Sequence, residues 1–188
     1  MDCGASAPLC SAPGGAGGQA NPKVPKLIII NGAPGVGKST VARLVFARLP
    51  NAAFLDGDDV WQINPFEVTE RTKAIVQRNI PFVLRGYLEA GYDYVILAWV
   101  MHQQVIIDWL LKQLQDLDFG LRVFTLIAEE ETAQARWRES SGQQGTSKVV
   151  SDRLRQSLGL NTTKIDTTHL TPAQVAEAVL AAICACPP

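Results

Sequence analysis

Between residues 26 and 166, short apolar runs alternate with longer segments whose apolar residues recur at helical spacing. The runs Lys26–Asn31, Ala53–Asp56, Tyr94–Val100, Leu121–Ala128 and Thr163–Asp166 predict strands. Segments 38–49, 67–90, 103–116, 129–139 and 148–158 predict the helices between and after them, and 171–185 a last one. Strands apolar on both faces, joined through helices, belong to an α/β fold with a mainly parallel sheet, because crossover helices cover the sheet from both sides. Pro81 is expected to break or kink the second helix, since its ring removes one hydrogen bond and crowds the preceding turn. The last helix has a clear start, Thr171 as N-cap and Pro172 at the first position. Its Val175, Val179, Leu180 and Ile183 form a stripe that must face a core, as must Trp109 with Val105, Ile106 and Leu110.

At 188 residues and 47% hydrophobic, the chain suffices for one domain with a sizeable core. Residues 1–25, rich in glycine, alanine, serine and proline, read as a flexible leader, which leaves 26–186 for the domain. The leader has neither a basic start nor a continuous apolar stretch. The apolar run Val175–Cys186 is too short to span a bilayer and is interrupted by Glu177. A soluble, cytoplasmic monomer or homodimer is expected. The net charge of −1 gives no reason to expect nucleic acid or an anionic membrane as partner. The four cysteines, Cys3, Cys10, Cys184 and Cys186, lie in the terminal segments and are expected to be reduced thiols; their spacing is not that of a zinc site.

The chemistry begins at the end of the first strand, where "NGAPGVGKST" fits the phosphate-loop pattern G-x-x-x-x-G-K-[ST] through Gly32, Gly37, Lys38 and Ser39. Glycines let the loop curl so that backbone N–H groups converge on an anion, and the following helix adds its positive end. Gly32, Ala33, Pro34, Gly35, Val36, Gly37, Lys38, Ser39 and Thr40 are therefore the candidate nucleotide-binding residues. Lys38 would bridge the outer phosphates and Ser39 would hold Mg²⁺, with Thr40 deeper toward the inner phosphates.

"FLDGDDVW" supplies a second cluster. A helix of about 11 residues descends about 17 Å at 1.5 Å per residue, and the strand after it climbs back, so Asp56, Asp58 and Asp59 return to the level of the phosphate loop. At the carboxyl edge of a parallel sheet they face the terminal phosphate. Asp58 is the candidate base for an attacking hydroxyl, Asp56 the candidate metal orienter and Asp59 the third choice. Glu129, Glu130 and Glu131 suit the first turn of a helix instead. Arg136, Arg138, Arg153 and Arg155 flank the polar stretch 139–148, the arrangement of a lid at about 136–150; Arg136 and Arg138 are favoured as the phosphate-touching pair. Arg71, Arg78 and Arg85 recur every seven residues, on one stripe if the helix survives Pro81. His102, Trp61 and Trp99 lie near strand ends, where they could wall an acceptor pocket; His169 is expected to be structural.

Taken together, "NGAPGVGKST", "FLDGDDVW", "AEEETAQARWR" and "IDTTHLTPAQVAEAVLAAI" resemble the small P-loop kinases over about residues 26–184. That group contains shikimate, gluconate, adenylyl-sulfate and nucleoside monophosphate kinases and antibiotic phosphotransferases such as that for chloramphenicol. The resemblance implies a P-loop NTPase three-layer sandwich with a five-stranded parallel sheet in order 2-3-1-4-5 and a short lid. It also implies ATP with Mg²⁺, a small-molecule phosphoryl acceptor, and Asp58 near the acceptor hydroxyl. Two alternatives are a nucleotide-binding ATPase without an acceptor and a GTPase-type switch. The switch reading rests on Thr163, Lys164, Ile165 and Asp166 matching [NT]-K-x-D, but no aspartate has glycine three residues later to sense a γ-phosphate.

Overall fold

The structure, a computed structural model, describes residues 24–185. Five strands, β1 (Lys26–Gly32), β2 (Ala52–Asp56), β3 (Tyr94–Trp99), β4 (Gly120–Ile127) and β5 (Thr163–Asp166), alternate with helices. These are α1 (Lys38–Phe46), α2 (Glu70–Glu89), α3 (Gln104–Gln113), α4 (Glu130–Ser141), α5 (Lys148–Leu158) and α6 (Pro172–Cys184). A single 3-10 turn, Asp59–Trp61, follows β2. The strands are parallel and lie in the order β2-β3-β1-β4-β5, as the resemblance implied.

The apolar runs are continuous because both sheet faces are covered. Ile28 and Ile30 pack with α1, α5 and α6, while Leu27 and Ile29 face α2 and α3, and all four are fully buried. Register sets the functional edge: Asn31, the last residue of β1 before Gly32, lies beside Trp99 of β3 and Thr125 of β4. Three strands thus end level, directly under the phosphate loop.

Pro81 breaks nothing. It lies inside an unbroken α2, buried on the face that carries Val76, Ile80, Leu84 and Leu88. A proline in a helix interior costs about 3 kcal/mol, and burying four aliphatic side chains returns more than that at about 1.5–3 kcal/mol each. Arg71, Arg78 and Arg85 therefore do share a continuous helix, but Arg85 braces α2 against the end of α3, donating to both carboxylate oxygens of Asp116 at 2.7 and 2.8 Å and to Gln113 O at 2.9 Å.

Cys184 is disulfide-bonded, against the expectation of a reduced thiol; a bridged sulfur at the end of α6 is no free nucleophile or metal ligand. Cys3, Cys10 and Cys186, with nearly all of the leader, lie outside the described residues. No helix among the described residues is long and apolar enough to cross a membrane.

Candidate active site

The phosphate loop is held from below by steric fit. Gly35 adopts φ +84°, and a Cβ there would stand 2.1 Å from the Ala133 carbonyl of α4, so only glycine lets loop and helix approach this closely. Gly37, φ +92°, has open space where its Cβ would be. It is the N-cap of α1, and that end receives no side-chain cap and carries no acidic residue in its first turn. An uncapped helix start with free N–H groups and a positive dipole end is an anion site.

Lys38 leans over this hollow with Nζ donating to Ala33 O at 3.1 Å. Burial lowers its pKa to about 8, although Asp58 and Asp56 pull the other way; Arg153 adds to the lowering. Asp56 is buried at the end of β2, and its Oδ1 accepts the backbone N–H of Asp58 at 3.3 Å. Asp58 itself is accessible. Partial desolvation of its carboxyl, and next the Asp56 carboxylate, raise its pKa above 3.8, against the opposing charges of Lys38 and Arg153.

Gly57 between the two aspartates is wedged against Trp99, whose Cδ1 lies 2.4 Å from where a Cβ would be. Gly57→Ala is therefore expected to destabilise the fold by about 1–3 kcal/mol through overpacking, a loss measurable by denaturant unfolding.

The four arginines part company. Arg136 donates to Thr167 Oγ1 at 3.1 Å, Thr167 O at 2.9 Å and Thr168 O at 3.3 Å. It walls a cavity of about 420 Å³ lined by Gly35–Val41 and, opposite, Ser140, Thr167, Leu170 and Pro172. That space is sized for a base and sugar, and it lies on the side of the loop away from Asp58. Arg138 is not brought to the phosphate loop; it donates to Gly145 O at 3.2 Å. Arg155 pairs with Asp152 at the exposed surface. Arg153 is the arginine that reaches the centre, within electrostatic range of Lys38, Asp58 and His102.

Arg153 is positioned by residues that the sequence did not single out. Val150 and Leu154, on either side of it, are buried in the core. Buried Gln134 of α4 staples the start of α5, accepting from Ser147 N at 2.9 Å and donating to Ser147 O at 2.8 Å and Ser151 Oγ at 2.9 Å. Only residues 142–147 separate the two helices. Arg153→Ala is expected to lower turnover about 10²-fold and Arg138→Ala less than about threefold, in parallel steady-state assays.

Among the described residues, no group of three or more His, Cys, Asp or Glu side chains could hold a metal by itself. Ser39 at the start of α1 and buried Asp56 fit Mg²⁺ of the kind bound by one or two protein oxygens plus substrate phosphates and water. Asp166, the last residue of the [NT]-K-x-D match, is tied locally through Oδ1, which accepts from Thr168 N at 2.8 Å and Thr168 Oγ1 at 2.5 Å.

A family model described as AAA domain matches residues 28–159. Among solved structures, the Deinococcus radiodurans tunicamycin resistance protein superposes with a TM-score of 0.70 at 25% identity, over 87% of this chain and 99% of that one. A gluconokinase from Sinorhizobium meliloti 1021 gives 0.62 at 18% identity, over 86% and 94%. The Mycobacterium tuberculosis APS kinase, solved with AMPPNP and APS, gives 0.64 at 18% identity, over 86% and 99%. These last two speak for the fold alone. A search of curated proteins finds no match. A phosphate loop on a 2-3-1-4-5 parallel sheet, facing two aspartates at the end of β2 and matched by the family model along most of its core, makes this chain a member of the AAA domain family.

Proposed function

We propose that the protein is an ATP-dependent kinase of a small molecule, transferring the γ-phosphoryl group of ATP to an acceptor hydroxyl. One observation carries the reading: Asp58, an exposed carboxylate just past β2, lies within electrostatic range of Lys38 at the mouth of an uncapped helix start. A phosphate-binding loop alone suits any nucleotide-binding protein. A poised base next to it suits transfer to an alcohol.

In this reading the loop amides and Lys38 hold the β- and γ-phosphates, and base and sugar fill the cavity beside Arg136 and Thr167. Asp58 takes the proton of the acceptor hydroxyl as its oxygen bonds to the γ-phosphorus. The bond from that phosphorus to the β-γ bridging oxygen breaks, and ADP leaves. Lys38 and Arg153 stabilise the charge gathering on the equatorial oxygens. Mg²⁺, held by Ser39 and Asp56, would neutralise the phosphates. The test is ATP consumption with Mg²⁺ against nucleoside monophosphates, sugar acids, shikimate and hydroxyl-bearing antibiotics, the last suggested also by the tunicamycin resistance protein. Strong stimulation by a sugar acid, shikimate or an antibiotic supports the reading, whereas stimulation by a nucleoside monophosphate alone would mean transfer to a phosphate oxygen. A hydrolysis rate that no alcohol alters favours an ATPase.

A further inference from the structure

His102 stands at this site with no task in the transfer just described. Its position is fixed from three strands: buried Asn31, next to last in β1, accepts from Met101 N at 2.7 Å and donates to Met101 O at 2.9 Å and to Thr125 Oγ1 at 3.3 Å. The backbone is thus locked one residue before the imidazole. His102 is half-buried; its Nδ1 is enclosed without any hydrogen-bond partner, whereas Nε2 is not so enclosed. An orphaned N–H is rarer in protein interiors than an orphaned lone pair, so the proton of neutral His102 is assigned to Nε2. Burial, and then the charge of Arg153, lower the pKa below 6.5. His102 is a neutral single donor at pH 7.

The charges around it are already committed. Those acting on Asp58 are the anions Asp56 and Asp59 and the cations Lys38 and Arg153, and both cations serve the phosphates in the reading above. Neither is left over for a carboxylate or phosphate on the acceptor, and Arg71 and Arg78, exposed on α2, are not among the charges that act on Asp58 or His102. The wall beyond Asp58 is aromatic: Trp61, held by its backbone N–H donating to Asp58 O at 3.1 Å, packs its ring against Phe66 with centroids 5.5 Å apart, and Phe66 is 63% exposed; the indole N–H of Trp61 is enclosed without a hydrogen-bond partner. An exposed ring on a supporting indole is a surface for an apolar or planar group.

We propose that His102 reads the acceptor, donating its Nε2–H to an uncharged oxygen near the reacting hydroxyl, so that the site takes neutral hydroxylated compounds with an apolar face and turns away anionic ones. The proposal rests on the phosphoryl-transfer reading, and its test separates the two. A pooled set of hydroxylated metabolites and antibiotics is split on an anion exchanger into neutral and anionic fractions. Each is incubated with the protein, Mg²⁺ and γ-labelled ATP, and labelled products are resolved from inorganic phosphate.

Labelled product from the neutral fraction is expected. With that compound, His102→Leu should raise the acceptor KM about tenfold or more and leave the KM for ATP within about twofold. His102→Gln, which keeps an N–H close to Nε2, should recover most of the loss. Product from the anionic fraction alone, or an acceptor KM indifferent to His102→Leu, overturns the role of His102 while leaving kinase activity standing. No labelled product from either fraction defeats phosphoryl transfer and this proposal with it.

Discussion

Replacing Lys38 by methionine is expected to cut kcat/KM for ATP-dependent transfer about 10²–10³-fold, the loss typical of removing one preorganised donor from developing charge, while making the empty protein more stable. Methionine keeps the length of the stem and removes the charge. That charge is costly before a nucleotide arrives, because burial holds the folded-state pKa at about 8 against 10.5 for an unperturbed lysine. A cationic group whose pKa is lowered by folding destabilises the fold. The penalty is complete below about pH 8, shrinks above it and is gone once pH passes 10.5. At about 1.36 kcal/mol per pKa unit, its upper bound is about 3 kcal/mol at pH 7, reduced in practice because solvent reaches part of the side chain. Thermal unfolding at pH 7 should show the variant more stable, and the gain should fade between pH 8 and 10.5. Inactivity with lower stability at pH 7 would mean that Lys38 is a structural prop.

Asp58→Asn is expected to keep nucleotide binding and lose transfer, with kcat down about 10²–10⁴-fold and the dissociation constant for ATP within about threefold. The change preserves shape and the turn, since the bond from Asp58 to Asp56 Oδ1 uses the backbone N–H. It removes the ability to accept a proton and, with it, one negative charge facing Lys38. Isothermal titration with a non-hydrolysable ATP analogue, next to turnover with the acceptor, separates the two effects. Transfer at the normal rate would move the base to Asp56 or Asp59. Loss of binding together with transfer would show that Asp58 acts chiefly by balancing the charge of Lys38.

The strands and the phosphate loop were legible in the sequence because their signals are local. Ile28, Ile29 and Ile30 in a row admit burial on two faces, and Gly35 and Gly37 are where the backbone takes positive φ. The aspartates were legible because helix and strand lengths return the chain to a known height. Pro81 does not end its helix, because the local rule lost to tertiary packing. The arginines were harder, since a charged residue on a helix looks the same in a sequence whether it faces water or phosphate. In retrospect Arg153 carried a hint, flanking the buried stripe of Val150, Leu154 and Ser157, whereas Arg155 lies off it. Arg138 carried no counter-hint; its partner, Gly145 O, belongs to a loop whose path only the fold decides. Nor could any pattern foretell the clamp between Asn31 and Met101, which joins residues 70 apart.

That clamp, and the bonds of Arg136 to Thr167 and Thr168, divide labour between stretches of chain that share no residue. The walls of the cavity opposite the loop come from α4 and from 167–175, while Asp58, Trp61, Phe66 and His102 come from 56–66 and the turn after β3. In evolutionary terms the two halves are free to drift apart. Under the proposed function, a descendant could exchange Trp61, Phe66 and His102 and inherit the nucleotide side intact, so that a new substrate would be a matter of two short loops.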